Sequence, residues 1–177
     1  MVKSYAGIGS RSITDEEKEF IESISNILRF RYVCYSGNAE GSDIAFQTGS
    51  KGKCVIFIPW RGFNKLQFDY ECKEKCMDYF LPSKESYNSV FKYHPNPMAL
   101  NNGGINLMAR NYHQVMGYED IYPIVSFVIC CANQDNNGNI LGGTGQAYKI
   151  AKNNNIPVIN IRNLTQKEKL KKLLGIS

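Results

Sequence analysis

IVSFVICCANQDNNGNILGGTGQAYKIAKNNNIPVINI, residues 124–161, decides the fold class. It opens on an apolar run, passes through the polar loop NQDNNGN, enters a helix by the glycine turn GGTGQAYKIAKNNN, and closes on the apolar run IPVINI. Apolar strand, helix and apolar strand in succession describe a crossover unit, which joins strands that lie parallel. Strands in such a sheet are nearly continuously apolar because helices cover both faces.

The same scheme recurs toward the N-terminus. In VKSYAGIGSRSITDEEKEFIESISNILRF a short strand and a glycine turn precede a helix that Thr14 and Glu17 open with the spacing of a capping box. Phe20, Ile21, Ile24, Ile27 and Leu28 then recur at helical period. YVCYSGNAEGSDIAFQTGS reads as a strand over 32–35 and a helix visible from Asp43 to Gln47 that ends near Gly49, and CVIFIPW as a third buried strand ending at Pro59. Further helices are expected around 69–80 and 105–116. Between them, residues 82–104 read as an irregular insertion suited to a lid or a partner surface. Thr165 and Glu168 offer a second capping box, for a terminal helix with Leu170, Leu173 and Leu174 inward and its lysines solvated. These elements predict one α/β domain over residues 1–177, a three-layer sandwich with a mostly parallel sheet between helices.

In such sheets ligands bind beyond the carboxyl ends of the strands, where the strand order reverses. GIGSR, SGNAEGSD and GGTGQA each follow a strand and precede a helix, so each presents free backbone N–H groups at a helix N-terminus, and a phosphate-bearing ligand is expected there. Arg11 and Arg110 suit bidentate phosphate contacts, and Arg110 shares a helix face with Gln114. Trp60, after Pro59 at a strand end, either stacks on a base or covers the sheet end. Glu40 and Asp43 are the carboxylates of the candidate loops and the candidate catalytic groups; Asp43 also suits a first-turn position. His94 and His113 read as a loop and a helix-surface residue.

Charge narrows the partners. The formal charge is +5, but four lysines against one glutamate in QKEKLKKLLGIS contribute +3, leaving +2 for residues 1–165. The body therefore lacks the broad basic face of a nonspecific DNA binder, although PWRGFNK and FKYHPNP each interleave basic and aromatic residues. Cys34, Cys54, Cys72, Cys76, Cys130 and Cys131 read as reduced thiols; Cys72 and Cys76 have helical spacing, but no CxxC or HExxH motif accompanies them, so no metal is expected. No apolar run spans a bilayer, and the protein is expected to be soluble and cytoplasmic, without a membrane partner.

GIGSR, SGNAEGSD and GGTGQA, in this order and spacing, resemble the SLOG superfamily of Rossmann-like proteins, which includes the DNA-processing protein DprA (Smf) and the LOG cytokinin-activating hydrolases. LMARNYHQVMG, VSFVICC and GGTGQAYKIAKNNNIPVINI are similar to small single-domain DprA-like proteins of bacteriophages. The resemblance implies a Rossmann-like fold, a nucleotide ligand rather than a resident cofactor, and a homo-oligomer, dimer or higher. By position it places Gly7, Gly9, Ser10 and Arg11 in a first phosphate-facing turn, Ser36, Gly37, Gly41 and Asp43 in a second, and Gly142, Gly143, Thr144 and Gly145 in a third. Arg110, Asn111 and Gln114 project from the central helix.

LOG hydrolases share PGGxGTxxE, whose Glu serves N-glycosidic cleavage. Here Leu141, Gln146 and Lys149 stand at its Pro, Thr and Glu. The resemblance therefore implies binding over turnover: an ADP-ribose-type or cyclic nucleotide held, and in a phage protein a host immune signal sequestered. The alternatives are an N-glycosidase acting on nucleoside monophosphates through Glu40 or Asp43, and a DprA-like mediator that binds single-stranded DNA, DNA being the less favoured partner.

Overall fold

The structure is a computed structural model that describes residues 3–66 and 76–176. Six strands, β1 (Ser4–Gly9), β2 (Val33–Ser36), β3 (Cys54–Phe57), β4 (Asp78–Phe80), β5 (Phe127–Cys131) and β6 (Val158–Asn160), form one sheet in the order β4-β3-β2-β1-β5-β6. Every pairing is parallel, with Ala6 beside Tyr35 on one flank and Val128 on the other. The described α-helices are α1 (Asp15–Leu28), α2 (Ser42–Ser50), α3 (Lys84–Tyr93), α4 (Asn102–Met116), α5 (Gly142–Asn153) and α6 (Leu164–Leu174).

Alternation along β1 divides the core. Tyr5 points to the layer of α1, α2 and α6, where it packs with Ile21, Ile24, Phe46 and Leu170. Ala6 and Ile8 point to the layer of α4 and α5, with Val115, Ala147 and Ile150. Tyr5 brings its hydroxyl inside, and Ser25 satisfies it at 2.8 Å while donating to the Phe46 carbonyl. Gly7 faces the Tyr5 layer, where the Phe46 ring fills the place of a side chain. The result is the Rossmann-like α/β architecture that the residues imply.

Thr14 and Glu17 close the capping box of α1 in both directions, and Ile21, Ile24 and Leu28 are buried on the predicted face. Elsewhere local chemistry redirects the chain. The helix expected over 69–80 falls partly outside the described residues, and its end is instead strand β4. There Phe80 stacks on Phe57 and Tyr118, the kind of aromatic pairing that favours a pleated strand. The stretch read as irregular over 82–104 holds α3, capped by Ser83, whose hydroxyl accepts from the Ser86 N–H. The helix expected from Ile105 starts three residues earlier, because Asn101 caps it by accepting from the Gly104 N–H at 2.8 Å.

Asn163, not Thr165, caps α6, and Thr165 lies in its first turn. Of the three leucines expected to point inward, Leu170 is buried and Leu174 half-buried, whereas Leu173 is exposed. His113, expected on a helix surface, is buried: Nδ1 donates to the Gly117 carbonyl at 2.7 Å, and Nε2 accepts from the Ser83 N–H and hydroxyl. Burial pushes its pKa below the usual histidine value.

Candidate functional site

The sheet order reverses at β1, which lies between β2 and β5, and a cavity of about 520 Å³ opens at the carboxyl ends of these strands. Its first wall is the turn after β1. The Ser10 N–H donates to the Cys131 carbonyl at 2.7 Å, and the Ser10 carbonyl accepts from both the N–H and the hydroxyl of Ser42. The turn after β1, the end of β5 and the start of α2 are thereby tied together, with the Arg11 side chain left exposed at the rim.

The second turn is built for close approach. Gly41 has φ of +76° and lies against the Arg11 carbonyl, so a side chain there would be strained and would collide. At Gly37 a Cβ would overlap the Arg110 guanidinium. The surplus of glycine in SGNAEGSD thus has a physical cause: one admits the neighbouring loop and one admits an arginine from a distant helix.

The third wall is the start of α5. Leu141 occupies its cap position and supplies no side-chain acceptor, so Gly142, Gly143 and Thr144 open the helix at the cavity with uncapped N–H groups. Such a terminus carries partial positive charge. Asn111 steadies it by donating to the Gly143 carbonyl at 3.1 Å.

Helix α4 supplies the inner polar groups. Arg110 Nη1 lies 3.2 Å from Asp43 Oδ2, and both residues are buried. Asp43 also accepts from the Ala39 N–H. Burial pushes the Asp43 carboxyl above its usual range, with the Arg110 guanidinium beside it opposing the shift. Arg110 Nε and Gln114 Nε2 are buried donors without a partner among the described residues, on side chains that line the cavity. Unmet donors of this kind are costly and mark a place where a ligand brings acceptors.

A clamp sits behind the rim. Arg162 donates to both carboxylate oxygens of Glu17, to Asn133 Oδ1 and to the Ser12 carbonyl, at 2.7–2.9 Å. The Arg162 hydrogen bonds hold the Glu17 carboxyl down at about 2. Since Ser12 and Asn133 line the cavity, the clamp fixes two of its edges.

The structure brings Gly9, Ser10, Arg11, Asp43, Arg110, Asn111, Gln114, Gly142, Gly143 and Thr144 to one cavity. Gly7, Ser36, Gly37, Gly41, Trp60 and Gly145 lie outside its lining. Ser36 donates to the Gly7 carbonyl, and Gly145 packs under the Ile140 carbonyl. Glu40 is exposed and outside the lining as well, which leaves Asp43 as the carboxylate there among the described residues. Leu107 and Met108 add an apolar wall that sequence reasoning missed, although they lie three and two residues before Arg110 on the same helix. Arg162 had no signal in the chain, being 145 residues from Glu17. Among the described residues no cluster of three or more His, Cys, Asp or Glu could hold a metal, and Cys72 lies outside them.

No protein-family model matches the sequence, and no curated protein is detectably similar to it. Solved structures are similar in fold. DNA processing protein A from Helicobacter pylori, described with its single-stranded DNA binding mode, superposes with a TM-score of 0.57 at 14% identity, over 98% of this chain and 81% of that one. The chain has the fold of DprA. DprA from Streptococcus pneumoniae gives a TM-score of 0.55 at 17% identity over 89% of this chain, which spans about half (49%) of that DprA. Among the described residues of this DprA-like fold, no helix is long and apolar enough to cross a membrane.

Proposed function

We propose that this chain is a DprA-like member of the SLOG superfamily that binds single-stranded DNA, with one nucleotide of the strand held in the cavity between β1 and β5. One observation carries the reading: a cavity at the strand-order reversal whose lining includes two side chains with unmet buried donors and the uncapped start of α5. The acceptors it lacks are those of a phosphodiester and a base edge. Arg11 and Arg110 against Asp43 leave one net positive side-chain charge in the lining, matching the single negative charge of a phosphodiester. The DNA-binding description of the Helicobacter pylori protein supports a strand over a free nucleotide.

The volume supports a second reading. A space of about 520 Å³ falls in the range of small-molecule sites, and the near-neutral body of the chain offers little to a long polyanion. In that case the ligand is a free nucleotide or a nucleotide-derived molecule, held unchanged. Turnover has weaker support, since Asp43 Oδ2 is engaged by both Arg110 and the Ala39 N–H.

Anisotropy of a dye-labelled single-stranded oligothymidylate, read against the same length of duplex and against competing mononucleotides and ADP-ribose, separates the readings. Single-strand binding that mononucleotides displace only weakly supports the first. Displacement by one mononucleotide at stoichiometric concentration moves the function to the second, and no binding of any of them removes both.

A further inference from the structure

Trp60 follows β3 at the same edge of the sheet as the cavity, and its side chain is 41% exposed. Among the described residues no buried aromatic ring covers it. Phe63 meets it edge-on at 5.1 Å and 87°, which fixes the indole and leaves ring surface open. Phe63 in turn lies 5.8 Å from the guanidinium of Arg110, a residue that lines the cavity. From the other side, a Cβ at Gly103 would come within 4.0 Å of the indole, and Gly103 is four residues before the cavity-lining Leu107 on α4. Trp60 therefore stands about one helical turn, roughly 5.4 Å, along α4 from the cavity wall.

The loop that carries it adopts an uncommon conformation fastened by two hydrogen bonds. Asn64 and Lys65 have φ of 50° and 58°, and Asn38, in the facing turn, 57°. Asn38 donates to the Phe63 carbonyl at 3.1 Å and Asn64 to the Asn38 carbonyl at 3.0 Å, so the Trp60 loop is pinned to the turn that cradles Arg110. The exposed Lys65 brings a cation to the same loop.

Resting on the single-strand reading above, we propose that Trp60 is a second nucleotide subsite: the base next to the one held in the cavity stacks on the indole. A rigid, half-exposed aromatic with a cation close by is the arrangement that binds successive bases without regard to sequence. The strand then runs from Arg110 past Phe63 to Trp60, along the N-terminal half of α4.

The chain contains one tryptophan, so its emission reports on Trp60 alone. Titration of the full chain with a short labelled oligothymidylate is followed at once by label anisotropy and by tryptophan emission. Quenching that rises in step with the anisotropy is expected, and dTMP, filling only the cavity, is expected to leave the emission nearly unchanged. Trp60→Ala is expected to weaken the oligonucleotide about 5- to 150-fold, and Trp60→Phe far less. Anisotropy that rises while emission stays constant, with Trp60→Ala binding as tightly as the parent, overturns the subsite and leaves the cavity reading standing. An oligonucleotide that does not bind even at low salt overturns both.

Discussion

Arg110 lies 3.2 Å from Asp43 with both side chains buried, and this pair makes the site costly to alter. Arg110→Ala strands the Asp43 carboxylate in a low-dielectric pocket, so thermal or chemical denaturation is expected to show a loss of about 3–5 kcal/mol as well as abolished ligand binding. Arg11 is exposed at the rim, and Arg11→Ala is expected to leave the denaturation midpoint unchanged while weakening binding of a phosphate-bearing ligand about tenfold. His113 gives a test by pH. Its folded-state pKa is lowered by burial, so its neutral form contributes stability that is complete above the usual histidine value near 6.5 and is lost as pH falls below it. Denaturation midpoints of His113→Gln are expected to lose that part of the acid dependence. Arg11, Arg110 and Gln114 were legible in the sequence because each sits in a turn or on a helix face whose geometry follows from spacing. The burial of His113 was not, because Ser83 and Gly117 enclose it only in three dimensions.

At the scale of elements, the strand, turn and helix units were readable because apolar runs and capping boxes are local. Those that escaped were decided by partners elsewhere. β4 exists because aromatic rings from β3 and from residues 118 and 122 receive it, and α6 takes its cap from Asn163 because Gln166 is drawn to the Asn160 N–H at 2.7 Å. The Arg162 clamp belongs to the same class, joining the start of α1 to the loops after β1, β5 and β6. Glu17 is held at about 2, below its ordinary value of about 4.3. Its contribution is therefore present above the higher value and lost as pH falls from there toward 2. Arg162→Ala is expected to lower the denaturation midpoint at neutral pH and to flatten its fall through that acid window, and ligand affinity is expected to drop because Ser12 and Asn133 lose their tether.

Across the whole molecule, the reversal of strand order beside β1 puts three helix-opening turns and the inner half of α4 around one cavity. That convergence is legible in the sequence, since each turn follows an apolar strand. The identity of the ligand was not, because glycine turns and arginines recognise phosphate in a free nucleotide and in a strand alike. A cavity that takes one or two phosphodiesters on a nearly neutral body predicts a shallow salt dependence: log affinity for a single strand against log salt should fall with a slope of about −0.7 to −1.4. Photocrosslinking with an oligothymidylate carrying 5-iodouracil locates the strand directly, the crosslinked peptides being identified by mass spectrometry. Crosslinks at Met108 in the cavity wall and at Trp60, weakened by Arg11→Ala, are the predicted result. Crosslinks confined to residues away from the cavity, such as the exposed Phe30 at the opposite edge of the sheet, and unaffected by that substitution, would place the strand elsewhere.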